Sequence, residues 1–249
     1  MRIASDESVL DGQRAYLALG MFDGVHRGHQ ALMHACIAYA NAQGAPSYVY
    51  TYSNAPHPEK VQHAGGVLTT AQQKMRLCRQ MGFTGAILQR FTDAYASQSP
   101  QAFVQMLCQN ARTRALFCGQ NYRFGRFGRG DIAQLQQLCA PYGTEVHVVE
   151  DIAFAGALVS STRVREALLA GDCALAQSLL GRPYEIEPSF QNGCAAWTDN
   201  ARLRPGRYLC RIAQAERCVE VAQDGMIRIG DHKDAPVGAC SIQFLQRQS

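Results

Sequence analysis

The chain has 249 residues, a length compatible with one large domain or with one domain and a small appendage. Apolar residues make up 47% and charged residues 18%, so the chain can bury a sizeable core and is not disordered by composition. The net charge of +4 suits the handling of phosphorylated ligands but is too small to indicate nucleic acid as a partner.

Ten cysteines do not indicate a disulfide framework here. They stand singly in helix-like or strand-like runs, where a reduced thiol acts as a small hydrophobe, and no C-x-x-C pair occurs. The N-terminus lacks the charged start and apolar core of a signal peptide, and no apolar run approaches the roughly 18 residues that span a bilayer. We therefore predict a reduced, soluble, cytoplasmic protein with no membrane partner.

From residue 14 the chain alternates β-rich runs with helical patterns. We predict strands at 15–20, 47–52, 85–91, 114–119 and 145–151. The segments between them have apolar residues at helical spacing and are predicted helices, at 29–44, 70–82, 99–112 and 131–143. This alternation predicts βαβ units and an α/β fold, a Rossmann-like parallel sheet with its ligand crevice beyond the carboxyl ends of the strands.

The texture of the chain changes after about residue 184. Two more helices are predicted first, at 161–171 and 173–181. The tail then has β-like runs at 207–213, 217–223, 226–230 and 240–245, with Asp224-Gly225 as a hairpin turn. We predict a domain over 1–184 and a small antiparallel β module over 185–249.

The stretch "GMFDGVHRGHQ", Gly20 to Gln30, falls where the first strand meets the first helix. Backbone N–H groups at a helix N-terminus attract anions, and glycines allow a ligand to approach the backbone closely. Two imidazoles, His26 and His29, beside such a turn predict a pocket for a polyphosphate. A zinc pair is the alternative, but no third ligand has clear support in the sequence.

Six stretches in chain order carry a resemblance to a known family. They are "LGMFDGVHRGHQALM" (19–33), "TYSNAPHP" (51–58), "LTTAQQK" (68–74), "SQSPQAFV" (97–104), "GQNYRFGRFGRGD" (119–131) and "VSSTRVREAL" (159–168). Together they resemble the nucleotidyltransferase module of bacterial FAD synthetases, the bifunctional riboflavin kinase/FMN adenylyltransferases. The resemblance covers residues 14–184 and implies an FMN adenylyltransferase that transfers AMP from ATP to FMN, giving FAD and pyrophosphate.

The resemblance also implies roles for individual residues. His26, His29 and Arg165 are the implied catalytic residues. The implied ATP-binding residues are Gly20, Phe22, Asp23, Gly24, Gly28, Ser160, Ser161 and Thr162. The implied flavin-binding residues are Asn121, Tyr122, Arg123, Phe124, Gly125 and His57. Mg²⁺ is implied by the use of ATP, with Asp23 and Asn121 as its candidate protein ligands.

The tail departs from the family. In the family, the riboflavin kinase barrel carries the motif G-x-P-T-A-N and a later E-x-H. Neither motif occurs in this chain, and "WTDN" (197–200) is the stretch most similar to the first of them. We therefore predict a truncated kinase-like module over 185–249 without riboflavin kinase activity.

Several alternatives stay open. The enzyme could use another phosphorylated acceptor, or the chain could be a non-catalytic flavin- or nucleotide-binding paralogue. Taken alone, "SSTR" (160–163) is an ordinary helix cap. The oligomeric state is not indicated by the sequence.

Overall fold

The computed structural model describes residues 1–10, 14–56, 58–63, 65–110, 112–230 and 236–248. Its strands are β1 (Arg2–Ala4), β2 (Ala15–Leu19), β3 (Ser47–Tyr52), β4 (Gly85–Gln89), β5 (Thr113–Gly119), β6 (Glu145–Val149), β7 (Ala153–Phe154), β8 (Ala157–Leu158), β9 (Tyr184–Ile186), β10 (Ser189–Phe190), β11 (Cys194–Ala196), β12 (Gly206–Ile212), β13 (Ala215–Val221), β14 (Met226–Ile229), β15 (Gly238–Ala239) and β16 (Ile242–Gln248).

The helices follow the predicted pattern with some additions. They are α1 (Arg27–Ala42), α2 (Pro58–His63), α3 (Ala71–Met81), α4 (Asp93–Ala96), α5 (Pro100–Gln105), α6 (Ile132–Cys139), α7 (Ser161–Ala170) and α8 (Cys173–Leu180). A π-helical turn, Met106–Asn110, continues α5, and short 3₁₀ turns lie at Glu7–Leu10, Arg126–Gly128 and Ala140–Tyr142.

The chain forms two compact units. The first comprises residues 1–58 and 71–153, and the second comprises residues 59–70 and 154–249. The helices α7 and α8, which we predicted on the N-terminal side of the boundary, therefore group with the C-terminal strands. The predicted division into functional modules at 184/185 stays a prediction.

The first unit contains the predicted parallel sheet. Its strand order is β1-β4-β3-β2-β5-β6, and neighbouring strands are parallel throughout. Every residue of β2 is buried, as expected for a central strand covered by helices on both faces. The chain runs outward from β2 to β3 and β4 and then returns to β5, on the other side of β2. The topological switch point therefore lies between β2 and β5.

Two apolar layers cover the faces of this sheet. On one face Leu17, Leu19 and Leu116 pack with Phe103 of α5 and Leu135 of α6. On the other face the opposite side chains of the same strands pack with α1 and α3, in a cluster that includes Tyr16, Ala18, Phe117, Met33, Cys36, Met75 and Cys78. Because both faces of the sheet are packed against helices, the ends of its strands are held in fixed positions.

The second unit contains an antiparallel sheet of order β11-β14-β13-β12-β16-β9, and β10 pairs with β15. The predicted hairpin at Asp224-Gly225 joins β13 to β14, with the Asp224 carboxylate accepting from the Met226 N–H at 2.8 Å. The sequence prediction named four strands in this module and missed β9, β10, β11 and β15, which are two or three residues long.

The cysteines and the helices bear on the predicted cellular setting. The ten cysteines are free thiols, and most are buried. In the part of the chain that the structure describes, no helix combines the length and the apolar character needed to cross a bilayer. A cytoplasmic location stays a prediction.

Candidate functional site

The loop between β2 and α1 is held in an unusual backbone conformation. Phe22 and Val25 have φ angles of 52° and 42°, and Gly24 has a φ of 82°. L-residues rarely adopt such angles. Residues that do adopt them cluster at sites where the fold fixes a functional geometry. Gly20 is needed for close packing, because a Cβ there would lie 2.8 Å from the Phe22 ring.

His26 and His29 lie together at the start of α1. Their rings are stacked with centroids 3.6 Å apart, and the His29 ring also meets the edge of Phe22 at 5.3 Å. His26 caps the helix, since its Nδ1 accepts from the His29 backbone N–H at 3.3 Å. In a neutral ring this acceptor role leaves the proton on Nε2 of His26.

The environment of His29 keeps its ring neutral. Burial, followed by the charges of His26 and Lys74, lowers the pKa of His29 well below 6.5. Nδ1 of His29 is buried and has no hydrogen-bond partner among the described residues. A neutral imidazole can donate from one nitrogen and accept at the other, so this ring can still serve a ligand in both ways.

Acidification is expected to destabilise the fold through His29. Below pH 6.5 the unfolded chain protonates this ring while the folded protein keeps it neutral, because its folded pKa is depressed. The unfolded state then binds more protons, so the free energy of unfolding falls as the pH drops through that window. Denaturant unfolding at about pH 7.5 and about pH 5 measures this loss.

The control for this experiment is a comparison of two variants. His29→Ala should lose less stability on acidification than the wild type. His34→Ala, at an exposed position of the same helix, should match the wild type. Equal losses in all three proteins would contradict the assignment to His29.

Lys74 ties the ends of β2 and β3 together beneath this loop. Its Nζ donates to Met21 O at 2.8 Å, to Tyr52 O at 2.8 Å and to Thr51 Oγ1 at 3.0 Å. Thr51 in turn donates to Met21 O at 3.0 Å. Burial lowers the pKa of Lys74 to about 8, and the Asp23 carboxylate acts in the opposite direction.

A cavity of about 290 Å³ opens beside the same loop, at the carboxyl end of the sheet. Five of the predicted flavin-binding residues line it, together with the loop and with aromatic side chains from other segments. Its lining comprises Gly20, Met21, Tyr52, Pro56, Phe91, Tyr95, Ala96, Gln98, Phe103, Asn121, Tyr122, Arg123, Phe124, Gly125 and Gly128. The structure therefore brings the predicted flavin segment 121–125 to the strand end that carries Gly20.

Asn121 and Arg123 of this cavity are exposed, and the other polar side chains of its lining are at least half-buried. The hydroxyl of Tyr95 lies 3.0 Å from that of Tyr50 and 3.3 Å from that of Tyr52. Burial raises the pKa of Tyr52 and of Tyr122 well above 10.0, so these phenols stay protonated and can donate. Oε1 of Gln98 is buried and has no partner among the described residues.

The loop that follows β5 is pinned at its base. Phe124 and Gly130 exchange backbone hydrogen bonds of 3.1 and 2.9 Å. A Cβ at Gly125 would lie 2.8 Å from the Pro100 ring, and one at Gly130 would lie 2.7 Å from the Phe124 ring. These close approaches explain Gly125 and Gly130, and the contacts with Gly130 hold Phe124 at the cavity wall.

The predicted residues of segment 160–165 lie in the second unit. Ser160 caps α7, since its Oγ accepts from the Arg163 N–H at 3.2 Å. This serine therefore has the helix-capping role that the sequence alone indicates. Nε of Arg165 donates to Gly66 O at 3.0 Å. That these residues act with the histidines of the first unit stays a prediction.

Two predicted metal ligands belong to the first unit. Asp23 is buried in the strained loop, and Nδ2 of Asn121 donates to the Asp151 carboxylate at 3.2 Å. Within the described residues no group of three His, Cys, Asp or Glu side chains is arranged to hold a metal ion. A magnesium ion at this site would therefore depend mainly on phosphate oxygens.

Some site residues were not singled out from the sequence. Lys74, Tyr52 and Phe103 fall inside three of the quoted motifs, but no role was assigned to them. Gln98 also lies inside a quoted motif without an assigned role, whereas Phe91 and Tyr95 lie outside the quoted motifs. His57, which was predicted to bind flavin, lies outside the described residues.

Comparison with known proteins places these motifs in context. A family model described as FAD synthetase matches residues 9–163. The bifunctional riboflavin kinase/FMN adenylyltransferase of Escherichia coli (strain K12) is 32% identical over 181 residues, which are 71% of this chain and 57% of the relative. The chain therefore spans little more than half the length of that protein.

Two shorter relatives are covered more completely. A putative bifunctional riboflavin kinase/FMN adenylyltransferase of Geobacillus thermodenitrificans is 33% identical, with 67% of this chain and 89% of the relative aligned. A protein named FAD synthetase from Listeria monocytogenes is 29% identical, with 74% and 75% aligned.

A solved structure resembles the whole chain in fold. It is described as a macrolide-efflux protein from Streptococcus pneumoniae, and it superposes with a TM-score of 0.80 over 99% of this chain and 90% of that one. The two sequences are 20% identical, so this likeness concerns the fold alone.

Proposed function

The chain belongs to the FAD synthetase family, and we propose that it is an FMN adenylyltransferase that joins FMN to the AMP of ATP and releases pyrophosphate. The observation that carries the proposal is the meeting of two features at Gly20 and Met21. A strained loop leads from there into the stacked histidines of α1, and the same two residues border the aromatic cavity.

The histidine side of the site suits the phosphates of ATP. The first N–H groups of α1 form a positive helix end, and no acidic residue lies in its first turn. The neutral ring of His29, stacked on His26, adds a donor without the cost of burying a fixed charge. In the reaction an FMN phosphate oxygen attacks the α-phosphorus, the bond from that phosphorus to the bridging oxygen breaks, and pyrophosphate leaves. Preorganised donors lower the barrier by stabilising the charge that develops on these oxygens.

The aromatic cavity suits the isoalloxazine ring of FMN. Flat apolar walls from Tyr122, Phe124 and Tyr52 can pack against the ring faces. The unpartnered Oε1 of Gln98 offers an acceptor to the ring N–H, and the protonated tyrosines offer donors to its carbonyls. The cavity opens beside the histidine loop, so a flavin held there directs its ribityl phosphate toward the ATP site.

We propose, from the family resemblance, that Arg165, Ser160, Ser161 and Thr162 bind the β- and γ-phosphates. A guanidinium matches the geometry of phosphate oxygens and would stabilise the leaving pyrophosphate. Mg²⁺ would supply further neutralisation of the triphosphate. Asp23 and the carbonyl oxygen of Asn121 have the oxygen chemistry that Mg²⁺ prefers, and they are the proposed protein ligands.

We also propose that the tail lacks riboflavin kinase activity. The side chains of Trp197, Thr198 and Asn200 in "WTDN" are engaged in hydrogen bonds within the second unit. Thr198 Oγ1 donates to Asn200 Oδ1 at 2.7 Å, and the buried Asn200 amide donates to Leu68 O at 3.4 Å. Gly66 supports this packing, because a Cβ there would lie 2.7 Å from Asp199 O. Such contacts leave these side chains a structural role.

The experiment that tests the proposal uses the full chain with ATP and Mg²⁺. In one reaction FMN is the acceptor, and in the other riboflavin is offered instead; the flavins are then separated by chromatography. FAD should form from FMN, and no FMN should form from riboflavin. Absence of FAD, with conversion of a different phosphorylated acceptor, would show that the acceptor is wrong. FMN formed from riboflavin would overturn the assignment of the tail.

A further inference from the structure

We propose that a second anion site lies at the amino-terminal ends of the parallel strands, on the opposite side of the sheet from the proposed catalytic centre. This site would bind a diphosphate-bearing ligand. A cavity of about 410 Å³ lies there, lined by Arg14, Cys108, Arg112, Thr113, Arg114 and Tyr142. Three of these six residues carry a permanent positive charge, and none carries a carboxylate.

The position of the arginines follows from the sheet. Arg14 immediately precedes β2 and Arg112 immediately precedes β5, and the register pairs Ala15 with Thr113. Because β2 and β5 are neighbouring parallel strands, their amino ends share one edge of the sheet. The strand β2 is 5 residues long, so this edge lies roughly 15–20 Å from the loop at Gly20. The fully buried strand β2 lies between the two places, so they are separate sites.

Among the residues that the structure describes, the charges at this end of the sheet have no counterion. No carboxylate of the described residues lies within salt-bridge distance of Arg14, Arg112 or Arg114. Three like charges gathered around one cavity repel each other, and a bound anion removes that repulsion. Guanidinium groups present paired N–H donors that match phosphate oxygens, which favours phosphate over a simple halide.

A second observation points to a ligand at the same place. Thr113 lines the cavity and is almost completely buried, and its Oγ1 has no hydrogen-bond partner within the described parts of the chain. Buried hydroxyls are nearly always satisfied, so an unsatisfied one beside a charged cavity indicates a missing partner. The volume exceeds that needed for one phosphate, and three guanidinium charges balance a diphosphate better than a monophosphate.

The test is calorimetric titration of the full chain with inorganic pyrophosphate and, in parallel, with ADP. The variant Arg14→Gln/Arg114→Gln removes two charges from the site. The control Arg79→Gln/Arg207→Gln removes two charges from exposed positions elsewhere. We expect the first variant to lose affinity for one class of sites by about tenfold or more, because charge-assisted hydrogen bonds are lost. The control should bind as the wild type does.

Further arms separate this site from the catalytic centre and identify the source of the ligand. Arginine-dependent binding should persist in His29→Ala, and Thr113→Val should weaken it. Tighter arginine-dependent binding of ADP than of pyrophosphate would identify a nucleotide, and equal binding would identify a free polyphosphate. Identical isotherms for Arg14→Gln/Arg114→Gln and the wild type, with both folded by circular dichroism, would overturn the proposal.

Discussion

His29→Ala is expected to lower the kcat for FAD formation by about 10²-fold or more, the usual effect of removing a preorganised donor to a transition-state charge. The imidazole is stacked on His26 at 3.6 Å and kept neutral by burial, so it is fixed in place before the substrates arrive. The KM values should change much less than kcat, because the interaction strengthens as charge develops on the phosphates.

The matched control is His34→Ala, an exposed histidine one and a half turns further along α1. It should keep wild-type kinetics. Steady-state assays measure kcat and KM for both variants, and thermal unfolding measures their stability. If His29→Ala kept a wild-type kcat with an unchanged melting curve, His29 would be a structural residue.

The second large effect is expected for Lys74→Met, which should lower the free energy of unfolding by about 3 kcal/mol. Methionine fills similar space but donates no hydrogen bond, so Met21 O, Tyr52 O and Thr51 Oγ1 each lose a buried donor. Met21 and Tyr52 also line the cavity proposed to bind flavin, and the KM for FMN should therefore rise as well.

Denaturant unfolding and FMN titration of this variant give both quantities. Gln72→Met, at an exposed position of the same helix, controls for the introduced side chain and should be neutral. Stability of Lys74→Met equal to that of Gln72→Met would show that the lysine does not bind the two strand ends together.

The sequence predicted the parallel sheet well because its signal is local. An apolar run such as β2, followed by a helical pattern, is what a strand buried on both faces looks like in one dimension. The strand β1 was missed for the opposite reason. It has three residues, two of them exposed, and it is a strand because β4 offers it an edge to pair with.

The tail shows the same limit in its turns. Asp224-Gly225 was identified because Asp-Gly is a strong hairpin signal. The turn between β12 and β13 uses Ala213 and Gln214 at φ angles of 47° and 69°, which neither residue type favours. Pairing of the flanking strands imposes that conformation, and a sequence pattern cannot show it.

The candidate site also contains both residues that local motifs indicate and residues that only the folded structure brings together. Motifs close in sequence singled out His26, His29 and segment 121–125 as candidates, because each group lies within one short stretch of the chain. The cavity wall depends on Phe91, Tyr95 and Gln98, which reach it through the packing of α4 and its neighbouring loops. Side chains brought together from separate segments have no spacing to recognise, so only the folded structure identifies them.

The central claim is that the stacked histidines promote transfer of AMP to FMN. It is tested most directly by supplying ATP labelled at the α-phosphorus together with unlabelled FMN and Mg²⁺, and by following the label in wild type and in His29→Ala. We expect the label to appear in FAD, with one pyrophosphate released for each FAD formed, and the rate to fall by about 10²-fold or more in the variant. Label that stays in ATP and free AMP, or transfer at the same rate in both proteins, would contradict this claim.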